Sequence, residues 1–243
     1  MPRPGTGTAL TPWILMDQLL DFGPVFDNLD LILGGFWATV RLAVVTAILA
    51  LIFGTFLTAL RVSPVTVLSR TGSLVVNLLR NTPLTLLLAI CILAINDELK
   101  ITLSGTETVN RYWWGVLGLS IYTGAFVSEA LQSGINTVPI GQAEAARSIG
   151  LTFLQSLRLI ILPQAFRAVI APLGSVLIAM IKNTTVVGAV AYGYEAAAVM
   201  KEMFDDMGAS IPVFLGIAAG YLVLTLPTGF FFGWLAKRMA VAR

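Results

Sequence analysis

Glu144 to Pro163 reads E-A-A-R-S-I-G-L-T-F-L-Q-S-L-R-L-I-I-L-P, a polar, charge-bearing stretch between two long apolar ones. Its own pattern is helical. Gly141 to Arg147 is rich in good helix formers. Gly150 is free to adopt positive φ and ends that helix, and Thr152 can cap the next, through Leu154, Leu157 and Leu159. Pro163 and Arg167 then precede an apolar run. The reading is two short helices joined at Gly150. Small Ala145 and Ala146 leave room for close contact, and Glu144 and Arg147 offer polar anchors. A plain solvated amphipathic loop is the alternative. It explains neither the glycine hinge nor the length of the connection from Gln132 to Arg167, since ordinary connections run about 4–6 residues.

The flanking sequence calls for lipid. The chain has 243 residues, 57% hydrophobic and 12% charged, with mean hydropathy +0.87. A soluble domain carries about 25% charged and 45–50% apolar residues. The apolar excess cannot fit one small core. A bilayer core takes about 20 apolar residues per helix. Five stretches qualify, roughly 35–60, 73–95, 113–131, 168–191 and 211–236. The expected fold is therefore all-α and integral to the membrane, with five transmembrane helices.

Charge sets the orientation. The N-terminal tail and the 96–112 and 192–210 loops hold Arg3, Lys100, Arg111 and Lys201 among many acids. The 61–72 turn, the 132–167 loop and the C-terminus hold Arg61, Arg70, Arg147, Arg158, Arg167, Lys237, Arg238 and Arg243 against only Glu144. Basic residues mark the cytoplasmic side. The N-terminus is then outside, and the C-terminus and the 132–167 loop are inside. The expected organisation is an external amphipathic segment over 1–33, a membrane domain over 34–238 and a cytoplasmic tail over 239–243. Trp13, Ile14, Leu19, Leu20, Phe22 and Phe26 alternate with acids in the first segment. It either lies on the outer leaflet or packs on the bundle. It does not read as a signal peptide, because acids interrupt its apolar residues.

Several chemistries are excluded. There is no histidine, and Cys91 is the one cysteine. That removes the usual general base, the usual zinc ligand and any disulfide framework. No glycine is followed by lysine, so there is no phosphate-binding G-x-x-x-x-G-K-[ST] loop. A net charge of +2 gives no case for nucleic acid.

Polar residues within the apolar stretches are the candidate functional groups. Arg80-Asn81-Thr82-Pro83 interrupts the second stretch. It is either a kink facing a water-filled path, or a cytoplasmic helix entry with Arg80 snorkelling to lipid phosphate. Lys182-Asn183-Thr184 interrupts the fourth. Lys182 either lines a substrate route, where a positive charge suits a carboxylate, or makes a structural ion pair or snorkels outward. Glu129 suits an ion pair with Arg80 or another basic residue better than substrate contact. Arg41 either snorkels or faces a cavity. Two glycine pairs, Gly216/Gly220 and Gly229/Gly233, fit close packing against a second subunit.

Glu144-Ala145-Ala146, Gly150 and Ile161-Leu162-Pro163 together resemble the EAA motif of type I ATP-binding-cassette (ABC) importer permeases. Arg80-Asn81-Thr82-Pro83-Leu84 is similar to the R-G-T-P-L element of polar amino-acid permeases, with Asn81 replacing the usual Gly. Ser133-Gly134-Ile135, Gly141-Gln142 and Lys182-Asn183-Thr184 also match, over roughly residues 34–238. The combination most resembles actinobacterial glutamate-uptake permeases. Gln132 departs from the pattern, since many members carry Arg there. The resemblance implies a bacterial plasma-membrane subunit with no chemistry and no cofactor of its own. Its partners would be a cytoplasmic ABC ATPase dimer using ATP and magnesium, a second and different permease, and an extracellular amino-acid-binding protein. Glu144, Ala145, Ala146, Arg147 and Gly150 would couple to the ATPase. Arg80, Asn81, Thr82, Pro83, Glu129, Lys182, Asn183 and Thr184 would line the substrate path or its gate. The substrate would be glutamate or a related acidic or amide amino acid, with arginine or another polar amino acid as the alternative. An ion-coupled secondary transporter is a weaker reading, because it needs acids at mid-membrane and finds only Glu129. An intramembrane enzyme finds no nucleophile motif at all.

Overall fold

In the computed structural model, residues 21–207 and 211–239 are described, and all their regular structure is helical. The helices are α1 (Gly23–Asp27), α2 (Leu29–Arg61), α3 (Thr66–Arg80), α4 (Leu84–Glu98), α5 (Glu107–Asn136), α6 (Ile140–Ser148), α7 (Phe153–Val190), α8 (Ala196–Met207) and α9 (Ile211–Met239). Trp13, Ile14, Leu19 and Leu20 of the expected N-terminal amphipathic segment lie outside the described residues. Within them, Phe26 is exposed and Val25 is buried against Ile217 and Val213 of α9.

Among the described residues three helices are long and apolar enough to cross a membrane, α2 with 33 residues, α7 with 38 and α9 with 29, and the bent pair α3–α4 makes a fourth if taken as one span. On α2 the apolar character extends to the outside. Trp37, Val44, Ile48, Ile52 and Phe56 form an exposed stripe, while Leu42, Ala50 and Leu57 are buried on the other face. A helix apolar all round suits lipid on one side and protein on the other.

α5 stands at the centre, against α2, α3, α4 and α7. Val116, Leu119, Ala125 and Val127 on it are fully buried, with Leu42, Leu88 and Val187 close by. Surrounded by protein rather than lipid, it tolerates Ser120, Thr123, Ser128 and Glu129 along its length. A second, smaller core joins α1, α2, α8 and α9 through Val25, Ile32, Val199, Met203 and Ile217.

Of the two readings of the Arg80–Pro83 run, the structure has the break, since α3 and α4 meet at 98°, and it departs from the sequence expectation in two other places. Pro83 supplies the break. It sits at the extended position ahead of α4 (φ −61°, ψ 137°), where its missing N–H costs nothing. The second part of the 132–167 loop is not a separate helix. It runs into α7 through a π-helical turn, Leu157–Ile161, with Leu162 N–H donating to Leu157 O. That wider turn makes room for the ring of Pro163, which would clash in a regular α-helix. Finally, Gly216 and Gly220 pack inside the chain. A Cβ at Gly220 would lie 2.1 Å from the Phe36 ring, and one at Gly216 would lie 3.1 Å from Val25. These glycines bring α9 against α1 and α2 rather than against a second subunit.

Candidate functional site: docking helix, ion cluster and path

The turn at Gly150 is built as its sequence suggests. α6 ends in a Schellman turn, with Gly150 N–H donating to Arg147 O (3.0 Å) and Leu151 N–H to Ala146 O (3.1 Å). Gly150 has φ +83°, and nothing lies within 4 Å of where its Cβ would be. Glycine is needed there for conformation, not for space. Thr152 then opens α7 with a capping box. Its Oγ1 accepts from Gln155 N–H (3.4 Å), while Gln155 Oε1 accepts from Thr152 N–H (2.9 Å).

The exposed face of this turn carries Glu144, Ala145 and Arg147. Beside them are Ile140 and Ile149, each 76% exposed, and Leu154 at 69%. A cluster of exposed apolar side chains with polar ones at its edge marks an interaction surface. Ala146 is buried at 1% and packs inward. Its smallness lets α6 lie close to its own chain, and its neighbours form the outer surface.

Where α3 breaks, the side chains of the R-N-T-P run take over the loose ends. Asn81 Nδ2 donates to Asn77 O, which also accepts the Asn81 backbone N–H, and Thr82 Oγ1 donates to Leu78 O, both side-chain bonds at 2.8 Å; the second satisfies a carbonyl that the helix end leaves open. Arg80 reaches α5 instead. Its guanidinium lies 3.0 Å from Glu129 Oε2, and Arg61, from the end of α2, approaches the same oxygen at 3.1 Å. One carboxylate thus joins the C-terminal ends of two helices, where arginines are also favoured by the helix dipole. Arg80 lies 5.7 Å over the Phe126 ring.

Phe126 is also part of the wall of a cavity of about 290 Å³ between α5 and α7. Tyr122, Thr123, Ser175, Val176, Ala179 and Asn183 contribute to it. Thr123 Oγ1 is buried and has no hydrogen-bond partner among the described residues. Apolar walls with a few polar groups are typical of small-molecule sites. The cavity and the ion cluster are therefore adjacent, with Phe126 between them.

Of the Lys182-Asn183-Thr184 run, only Asn183 lines that cavity. Lys182 is exposed and joins no ion pair among the described residues. Arg41 is exposed and unpaired in the same sense. Thr184 is buried and donates to Glu195 Oε1 at 3.0 Å.

Glu195 is the residue the sequence reading missed. It is fully buried at the start of α8. Its Oε1 accepts from Thr39 Oγ1 (2.9 Å), Thr184 Oγ1 and Tyr221 OH, and its Oε2 from Ala197 N–H (2.7 Å). Ala196 N–H donates to Thr39 Oγ1 at 3.2 Å. Gly188 makes the approach possible, since a Cβ there would meet Glu195 Oε2 at 2.3 Å. In the sequence Glu195 counts as one more acid of an outer loop. Its one signal is its place just before the Ala196-Ala197-Ala198 helix start, and glutamate is not a preferred cap.

Residues 50–241 match the family described as the inner membrane component of binding-protein-dependent transport systems. This chain belongs to that family. The permease is 45% identical over 218 residues to the glutamate transport system permease protein GluC of Corynebacterium glutamicum, covering 87% of this chain and 95% of that one. It is 33% identical to a probable glutamine ABC transporter permease protein of Bacillus subtilis, covering 88% and 96%. Among solved structures it is similar to a chain of an amino acid ABC transporter crystallised with histidines, with TM-score 0.81, 24% identity, and 90% and 99% coverage. An inward-facing methionine ABC transporter gives TM-score 0.71 at 19% identity. The fold is that of a type I ABC importer permease. The permease is a transport subunit in a membrane, not an enzyme, and its family uses a binding protein and a separate ATPase.

Proposed function

We propose that this permease forms half of the membrane path of an ATP-driven importer for glutamate or a closely related acidic or amide amino acid. The observation that carries this is the near full-length match to glutamate permeases. In this reading the chain crosses the membrane five times, through α2, the α3–α4 pair, α5, α7 and α9, with its N-terminus outside. The basic residues gathered at the α2–α3 turn, the α6 region and the C-terminus support that orientation.

An ATPase dimer docks on Glu144, Ala145, Arg147 and the Gly150 turn, with Ala146 holding α6 to its own chain. A second, different permease completes the path. An extracellular binding protein delivers substrate, and ATP and magnesium act on the ATPase alone. Arg80, Asn81, Thr82, Pro83 and Glu129 form the gate at the α3–α4 break. Lys182 and Asn183 lie along the path above it, and Thr184 anchors their turn. ATP-driven closure of the ATPases contacts the inward-facing and outward-facing states differently, and that difference moves the path.

The experiment is uptake of labelled glutamate by cells with and without this gene, with unlabelled aspartate, glutamine and arginine as competitors. Loss of glutamate uptake, competed by aspartate or glutamine but not arginine, is the expected result. Intact glutamate uptake with loss of arginine uptake would overturn the substrate and keep the transporter. That alternative has support in a 31%-identical arginine transport system permease protein of Corynebacterium glutamicum.

A further inference from the structure

Glu195 is buried without a cationic partner among the described residues. A carboxylate in that position is costly unless hydrogen bonds replace its water. Here the replacement comes from four parts of the chain at once: Thr39 on α2, Thr184 on α7, Tyr221 on α9 and the first turn of α8. The N-terminal end of α8 adds a favourable dipole.

The two threonines are not committed to the carboxylate. Each hydroxyl has one hydrogen and a second acceptor within reach, Gly35 O at 3.0 Å for Thr39 and Ile181 O at 2.7 Å for Thr184. Bonding back to the preceding turn is ordinary for threonine in a helix. Either hydroxyl can leave Glu195 without losing a partner, and Tyr221 and Ala197 remain to hold the carboxylate. The contact between α7 and α8 can therefore open and close with no donor left bare, which would cost far more than a lost bond.

Thr184 follows directly on Asn183, which faces the cavity, and on exposed Lys182. At about 100° per residue, Lys182 stands on the opposite side of α7 from Thr184. The bond from Thr184 to Glu195 therefore ties the orientation of that turn to α8, whereas the bond to Ile181 O stays within α7.

We propose that Glu195 is a positioning residue of the transport path. It is a hydrogen-bond clamp that ties α8 to α2, α7 and α9 and, while the Thr184–Glu195 bond is closed, holds the rotation of the turn bearing Lys182 and Asn183. The proposal rests on the reading of that turn as part of the path.

The test uses the assembled transporter in proteoliposomes. Thr184→Val keeps the shape and removes the hydroxyl, whereas Thr184→Ser keeps the hydroxyl. Glutamate KM, maximal rate and binding-protein-stimulated ATP hydrolysis are measured for each. The rate at which a water-soluble thiol reagent modifies Asn183→Cys, in a Cys91→Ala background, is measured with and without Thr184→Val. Thr184→Val is expected to raise KM about three- to tenfold, the change one lost hydrogen bond gives. It is also expected to change the labelling rate at position 183, while Thr184→Ser stays near wild type. Unchanged KM and labelling in Thr184→Val would overturn the clamp, as would a serine variant as impaired as the valine one. Glu195→Gln, which sets an amide N–H against Ala197 N–H, should reproduce the valine effect. If it does not assemble, the threonine pair still decides. Absence of glutamate uptake by the wild-type assembly would refute the proposed substrate, and the labelling comparison would still test the clamp.

Discussion

Replacing Gly150 separates the conformation of the docking turn from its size. With φ at +83° and no atom within 4 Å of a Cβ, any added side chain has space but a disfavoured backbone. That backbone costs an L-residue about 1–2 kcal/mol. A β-branched residue at positive φ is worse, and asparagine tolerates it best. The Schellman bonds from Gly150 and Leu151 to Arg147 and Ala146 hold only in this conformation. Relief of the strain therefore unwinds the end of α6 and moves Ile149. A penalty of that size shifts the turn's equilibrium by roughly 5–30-fold, and uptake should fall by a similar factor. The expected order of loss is Asn, then Ala, then Val. The assay is glutamate uptake against ATP hydrolysis in proteoliposomes holding the permease, its partners and loaded binding protein. Gly150→Val should hydrolyse ATP with little transport. Wild-type transport by Gly150→Val would rule out a conformational role for Gly150, and so would Gly150→Asn as impaired as Gly150→Val.

Other perturbations test other parts. Glu129→Gln leaves Arg61 and Arg80 together without their carboxylate; it should cut uptake several-fold yet move the melting temperature little, because partly exposed pairs contribute about 0–1 kcal/mol, and thermal unfolding beside uptake checks both. Lys182→Met should lower uptake without affecting co-purification of the ATPase; normal uptake kinetics would remove Lys182 from the path. Gly220→Leu drives side-chain atoms into the Phe36 ring and should destabilise the chain by about 1–3 kcal/mol, seen as a lower aggregation temperature in detergent.

Much of this arrangement is legible in the sequence because it is local. The Gly150 turn, the Thr152 cap and the break at Pro83 each follow from one residue's backbone chemistry. The pairing of Glu129 with Arg80 is legible because a carboxylate amid apolar residues needs a partner. Arg61 as its second partner is not, since it comes from a different helix end. The length of α7 is missed because the stretch from Thr152 through Leu159 reads as a short helix ahead of Pro163, and a π-helical turn carries the helix past that proline. The Gly216/Gly220 pair reads as an interface because glycine signals close approach without saying to what. Glu195 is the clearest case. Its burial is made by Thr39, Thr184 and Tyr221, far apart in sequence, and by the bare surface of Gly188.

In the proposed function this permease transports glutamate at the expense of ATP hydrolysed elsewhere. The most direct measurement is labelled glutamate uptake into proteoliposomes holding the permease with its partner permease and ATPase. Hydrolysable ATP is compared with a non-hydrolysable analogue and with an imposed sodium or proton gradient. Uptake is expected only with hydrolysable ATP and external binding protein. Uptake driven by an ion gradient without ATP would contradict the proposed function.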